Sequence, residues 1–174
     1  NATSSGTTVS SILTTVNWAD VDTGAVSGIA VTTTSGNGTW QYSTDGATWT
    51  DFGAAIATNA LLLTAASQDR YVPDGSNVET ATFGFVAWDQ STDTASTNAT
   101  PSYMDPGAGG GTAAYSSQSA SSSMTVSSVN DAPTITNGTT VTLTGTNENT
   151  TSSGTTVSSI LTDASWADVD NGAL

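Results

Sequence analysis

A segment at the start of the chain occurs again at its end. Residues 1–26 read NATSSGTTVSSILTTVNWADVDTGAV and residues 149–174 read NTTSSGTTVSSILTDASWADVDNGAL, with 20 of 26 positions identical at an offset of 148 residues. A period of 148 is longer than the repeats of solenoid proteins and matches whole domains joined in series. The sequence therefore predicts tandem domains, with one copy followed by the start of the next.

Short segments of alternating apolar and polar residues predict β-strands. Trp40 and Tyr42 alternate with polar residues, and the turn sequence Asp45-Gly46 follows them. The other alternating sets are Ile29 and Val31; Ala81, Phe83, Phe85 and Ala87, with Trp88 on the opposite face; Met124 and Val126; and Val141 and Leu143. Leu61 to Leu63 are continuous, which fits either a buried strand or one helical turn. Since no helical period is sustained, we predict an all-β fold, an antiparallel β-sandwich.

Turn residues mark a boundary between the copies. The sequence Val129-Asn130-Asp131-Ala132-Pro133 follows a serine-rich strand, and Pro133 opens the next segment. We predict a sandwich repeat over residues 1–129, a linker over 130–133 and the start of the next repeat over 134–174. The first copy has no counterpart of residues 134–148, so we expect it to lack its first strand. Residues 134–146 could supply that strand, either within the polypeptide or to a neighbouring subunit.

Charge and composition disfavour several classes of function. The chain has 15 acidic residues against one basic residue, Arg70, for a net charge of −14, which would repel nucleic acid and anionic membranes. It contains no histidine and no cysteine, so the commonest general base and all thiol chemistry are missing. No apolar run has the length of a membrane span. We expect neither an enzyme nor a membrane-inserted protein.

Several motifs together resemble a cadherin-type repeat. Glu148 precedes Gly154-Thr155-Thr156-Val157, which corresponds to the family's opening strand, and Asp168 and Asp170 form its Asp-X-Asp pair. Asp20 and Asp22 are that pair in the first copy. Ala87-Trp88-Asp89 resembles the family's Ala-X-Asp, and residues 130–133 resemble its interdomain linker. The stretches between resemble large bacterial cadherin-like surface proteins and adhesins with tandem repeats.

The resemblance implies an immunoglobulin-like or cadherin-like sandwich with Ca²⁺ at the domain junctions. Calcium takes six to eight oxygen ligands, which carboxylates, asparagine side chains and carbonyls supply. The ligands implied by the resemblance are Asp20, Asp22, Asp89, Asn130, Asp131, Glu148, Asp168 and Asp170. The alternative is that these aspartates accept hydrogen bonds within turns.

The expected function is that of a structural or adhesive repeat, secreted or held on a bacterial surface or in extracellular matrix. Its partners would be neighbouring repeats or identical subunits. One alternative is a fibre subunit assembled by strand donation. Another is a carbohydrate-binding module that uses tryptophans to bind surface glycans, for which Trp49 is expected to be the most exposed. Arg70, the single basic residue, is expected to pair with a carboxylate.

Overall fold

The computed structural model describes residues 3–170. Its contacts divide the chain into a first unit, Asn1–Ser127, and a second unit, Ser128–Leu174. This division lies two residues before the boundary that the turn residues predict. Residues 130–133 belong to the second unit, where the backbone N–H of Asp131 donates to Oδ2 of Asp170 at 2.9 Å.

The first unit consists of two antiparallel sheets and one short helix. Its elements are β1 (Thr7–Thr8), α1 (Val9–Thr15), β2 (Gly28–Thr34), β3 (Thr39–Ser43), β4 (Thr50–Asp51), β5 (Ala60–Thr64), β6 (Gln68–Val72), β7 (Glu79–Trp88), β8 (Tyr103–Met104) and β9 (Tyr115–Val126). One sheet has the order β1-β6-β3-β4 and the other the order β8-β5-β2-β7-β9. The predicted β-rich fold of antiparallel sheets is therefore confirmed.

The two sheets face each other across an aromatic core. On β7, Ala81, Phe83 and Phe85 are at most 1% exposed, as the period of two predicts. Trp40 from β3 packs edge-on against Phe83, with ring centroids 5.0 Å apart. Tyr71 from β6 lies 4.9 Å from the same Trp40 ring. Residues of both sheets thus form one buried cluster, which makes the unit a β-sandwich.

A second, smaller cluster lies on the other face of the five-stranded sheet. Leu62 and Trp88 belong to it, whereas Leu61 and Leu63 belong to the main core. Trp88 is stacked on Tyr115 with an interplanar angle of 13°. Because both faces of β5 are covered, its side chains are apolar without alternation. The continuous leucines therefore form a strand, not a helical turn.

The structure contains two short helices that the all-β prediction did not include. Val9, Ile12 and Leu13 have the i, i+3, i+4 spacing of one helix face, and all three are buried. Thr8 is the N-cap of α1, and its hydroxyl accepts from the backbone N–H of Ser11 at 3.3 Å. In the second copy, Thr156 caps the helix α2 (Val157–Asp163) in the same way. A helix thus begins at Val157, where the family pattern predicts the end of a strand.

The second unit contains α2 and little other regular structure. An antiparallel bridge joins Thr134 to Ala167. The predicted strand around Val141 and Leu143 is wrong, because neither residue belongs to a strand and Leu143 is 55% exposed. An isolated extended segment forms a strand only when a partner edge satisfies its backbone groups.

Candidate functional site: the acidic turns and the outer sheet face

The Asp-X-Asp pair of the first copy forms a turn after α1. Oδ1 of Asp20 accepts from the backbone N–H of Asp22 at 2.8 Å, and both residues are exposed. Within this turn, Asn17 has a left-handed φ of 55°, which lets the helix end sharply. Trp18 follows, and its N–H donates to the carbonyl of Leu13 at 3.0 Å. We call residues 16–22 the first Trp turn.

The same turn is present in the second copy and has an additional partner. Oδ1 of Asp168 accepts from the N–H of Asp170 at 2.8 Å, and Ser165 has a φ of 54°. Oδ2 of Asp170 also accepts from the N–H of Asp131. The structure therefore brings together three of the predicted ligand residues of the second copy. We call residues 164–170 the second Trp turn.

The remaining predicted ligands lie elsewhere. Oδ1 of Asp89 accepts from the N–H of Ser91 at 2.7 Å, in the turn that follows β7. Asn130 donates its side-chain amide to the carbonyl of Asp131 at 2.9 Å, and Glu148 is exposed. Within residues 3–170, no three acidic, histidine or cysteine side chains are grouped so that they could hold a metal ion. Asp20, Asp89 and Asp168 thus each accept from the backbone N–H two residues later, as in Asx turns.

Asp69 of β6 is a buried carboxyl group that the sequence reasoning missed. It is 3% exposed, and neither carboxyl oxygen has a hydrogen-bond partner in the described chain. Burial without a partner penalises the charged form and raises the pKa of Asp69 to about 8. The sequence carried a signal for this position, because Asp69 and the buried Tyr71 are two residues apart on β6 and therefore lie on the same face of the strand.

The outer face of the four-stranded sheet carries the chain's single cation. The guanidinium carbon of Arg70 lies 4.1 Å from the ring centroid of Trp49. Nε of Arg70 donates to Oε1 of Gln41, and Nε2 of Gln41 donates to Oδ1 of Asp51, both at 2.8 Å. Among residues 3–170, Arg70 therefore contacts a carboxylate through Gln41, whereas the sequence suggested direct pairing.

The tryptophans lie mainly in the core or against other side chains. Trp40 and Trp88 are buried, and Trp18, Trp49 and Trp166 are half-buried. Arg70 covers one face of the Trp49 ring, and a Cβ on Gly6 would lie 2.7 Å from Cη2 of that ring. A cavity of about 260 Å³ beside Trp40 contains no free indole N–H, since Trp40 donates to the carbonyl of Ser35. Of the tryptophans, only the partly exposed rings of Trp18, Trp49 and Trp166 could therefore take part in the glycan binding of the alternative prediction, within the described residues.

None of the helices in the described residues has the length and apolar character needed to cross a membrane. Comparison with protein-family models, with curated proteins and with solved structures finds no match.

Proposed function

We propose that the chain is a structural or adhesive repeat of an extracellular bacterial surface or matrix protein, and that it works without catalysis. The observation that carries the proposal is the 26-residue sequence that opens the first unit and begins again at residue 149. In both places it folds into the same capped helix followed by the same Trp turn. Copies that fold alike in series are what an extended array requires.

The interior of the first unit supports this role. Its core is assembled from residues of its own two sheets, so a copy can fold as one bead of the array. The resemblance of the linker and of the Asp-X-Asp pairs to cadherin-type repeats supports an immunoglobulin-like or cadherin-like assignment and an extracellular location. The net charge of −14 would make copies repel each other, which disfavours nonspecific association between them.

A direct test is the shape of concatenated copies. Chains carrying one, two and three 148-residue periods would be compared by small-angle X-ray scattering. A semi-rigid array predicts a maximum dimension that increases in proportion to the number of periods. A maximum dimension that increases only as the cube root of mass, as in a globule, would contradict the proposal.

Calcium stiffening of the junctions is part of the proposal and rests on the family resemblance. Asp131, Asp168 and Asp170 are the described residues with which it would start, and further oxygens would have to join them. Thermal unfolding with increasing calcium tests this idea, with magnesium as the control ion. An increase in Tm that is lost in the double variant Asp168→Asn/Asp170→Asn supports it. No increase in Tm for the unchanged chain removes calcium from the proposal.

A fibre subunit assembled by segment donation is a second candidate. The observation that favours it is the pairing of Thr134 with Ala167, in which an extended segment binds to the second Trp turn.

A further inference from the structure

The buried residue Asp69 lies on β6 between two strands of unequal length. It is paired with Thr7 of β1 on one side and with Tyr42 of β3 on the other. The pairing of β1 with β6 covers two residues, whereas the pairing of β3 with β6 covers five. Both oxygens of its carboxyl group are enclosed and have no hydrogen-bond partner within residues 3–170. An ionised Asp69 would therefore be a buried charge with neither water nor a partner to stabilise it.

The elements around Asp69 bring uncharged side chains to it. The sequences of β1, α1, β2 and β5 contain no acidic or basic residue. The titratable side chains on the same inner face are Tyr42 and Tyr71, and burial raises the pKa of both, to about 12 for Tyr71. Arg70 and Asp51 lie on the outer face of the sheet. Both phenols are therefore neutral where Asp69 titrates, and burial is the cause that raises the pKa of Asp69 to about 8.

Residues 7–15 form β1 and α1, and we call them the β1–α1 segment. The N–H of Val9 donates to the carbonyl of Ser67, and the N–H of Ser10 donates to the carbonyl of Ala65, both at 2.9 Å. The two strand pairs of β1 and the buried face of α1 add to these bonds. Separation of the segment would open the side of β6 with the shorter pairing and leave the five pairs with β3 intact. It is therefore the less costly of the two routes by which water can reach the carboxyl group.

We propose that ionisation of Asp69 releases the β1–α1 segment, which makes this segment a pH-sensitive latch on the first unit. In the closed form, Asp69 is protonated and the apolar face of α1 is buried. In the open form, Asp69 is a hydrated carboxylate, and the helix face of Val9, Ile12 and Leu13 is exposed. The remaining strands of both sheets stay paired in either form. The inference goes beyond the proposed function and does not depend on it.

The pH dependence of this latch has a definite direction. Opening lowers the pKa of Asp69 from about 8 to its ordinary value of 3.8, so the opening step releases a proton between these pH values. The equilibrium constant for opening therefore increases about tenfold for each pH unit between about pH 4 and about pH 8. The latch is most firmly closed in acid and opens more often as the pH rises toward neutral.

Hydrogen exchange of single backbone amides, followed by NMR, measures this opening. The N–H groups of Val9 and Ser10 lose their acceptors when the β1–α1 segment separates. The N–H of Leu62, which donates to the carbonyl of Ser102 at 3.0 Å, stays bonded and serves as the reference. Exchange rates are corrected for the intrinsic rate of each amide at each pH. We expect the protection factors of Val9 and Ser10 to fall about tenfold per pH unit between about pH 5 and about pH 7.

Low concentrations of urea distinguish local opening from unfolding of the whole unit. Separation of the β1–α1 segment exposes little surface, so exchange at Val9 and Ser10 should depend weakly on urea, whereas exchange at Leu62 should depend strongly on it. Protection factors of Val9 and Ser10 that do not change with pH would overturn the proposal. The same urea dependence at all three amides would also overturn it, because the first unit would then open only as a whole.

Three variants test whether Asp69 and α1 are the cause. Asp69→Asn cannot ionise and should remove the pH dependence at Val9 and Ser10, whereas Asp163→Asn, at an exposed position, should retain it. Ile12→Ala shortens a buried side chain of α1 and should lower both protection factors at least about tenfold at every pH, with the same slope against pH. A pH dependence that persists in Asp69→Asn contradicts the proposal. If this variant does not fold, the pH and urea dependence of the unchanged chain decides.

Discussion

The same sequence lies in two different environments within this chain. In the first unit, Gly6 is packed so closely against Trp49 and Gln68 that a Cβ would lie 2.7 Å from each, whereas the equivalent Gly154 has no atom within 4 Å of that position. Val9 is fully buried and Val157 is 69% exposed. Yet the helix, its threonine cap and the Trp turn are the same in both. Local sequence thus specifies these elements, and the two sheets determine their burial.

The two copies also hold complementary contacts. In the first copy, the two sheets cover the helix. In the second copy, residues 131–136 bind to the Trp turn, while the helix exposes apolar side chains to solvent.

Truncating a buried side chain of the helix should give the largest difference in stability between the two copies. Leu13→Ala leaves a cavity in the core of the first unit, and we expect a loss of about 2–5 kcal/mol in its free energy of unfolding. Leu161→Ala is the matched control, and its 37% exposed side chain should cost well under half as much. Urea denaturation followed by tryptophan fluorescence measures both variants. Equal losses would show that the second helix is buried in solution.

Asp69 should give the first unit a pH dependence opposite to that of an ordinary aspartate. The pKa of the carboxyl group is about 3.8 in the unfolded chain and about 8 in the folded one, so between these pH values only the folded state keeps its proton. The stabilisation by protonated Asp69 is complete below about pH 4 and is lost as the pH rises to about 8. The expected loss is on the order of a few kcal/mol.

Asp69→Asn isolates this contribution. Exposed Asp45 and Asp74 have lowered pKa values because backbone N–H groups of their turns bond to them, so they favour folding as the pH rises. The difference between the unchanged chain and Asp69→Asn removes these shared contributions. Asp163→Asn, at an exposed position of the second copy, should keep the original profile. If Asp69→Asn also keeps that profile, Asp69 is already ionised in the folded protein.

Removing the helix caps should have the smallest effect and should differ least between the copies. Thr8→Ala and Thr156→Ala each remove a hydroxyl that accepts from the N–H of a serine three residues later. We expect Thr8→Ala to cost about 1 kcal/mol of the first unit's stability. Thr156→Ala should reduce the helical circular dichroism signal of the second copy without shifting the main unfolding transition. A shift of that transition by Thr156→Ala would mean that the second helix is coupled to the sandwich.

The sequence predicted the strands well because their signal is local. Phe83 and Phe85 alternate with polar or small residues, and this period of two directly reports which face is buried. The helix was missed because Val9, Ile12 and Leu13 fill only two turns in a chain rich in threonine and serine, which favour strands and turns. The capping position of Thr8, three residues before Ser11, was the available signal.

The candidate site was predictable only in part. Asp20 and Asp22 are two residues apart, so their turn follows from short-range geometry. The proximity of Asp131 to Asp170 depends on contacts between residues 39 positions apart, which a single sequence does not encode visibly. Asp69 was overlooked because an aspartate is expected at the surface. Its spacing of two residues from Tyr71 nevertheless places it on the buried face of β6.

The strand lengths at the two ends of the first unit affect how an array of such units would bear tension. The chain enters the unit through β1, which pairs with β6 over two residues, and leaves through β9, which pairs with β7 along most of its twelve. A pulling force would reach the short pairing and the long one in series. The two-residue pairing of β1 should therefore separate at a lower force than the pairing of β9, so such a unit would extend in two stages.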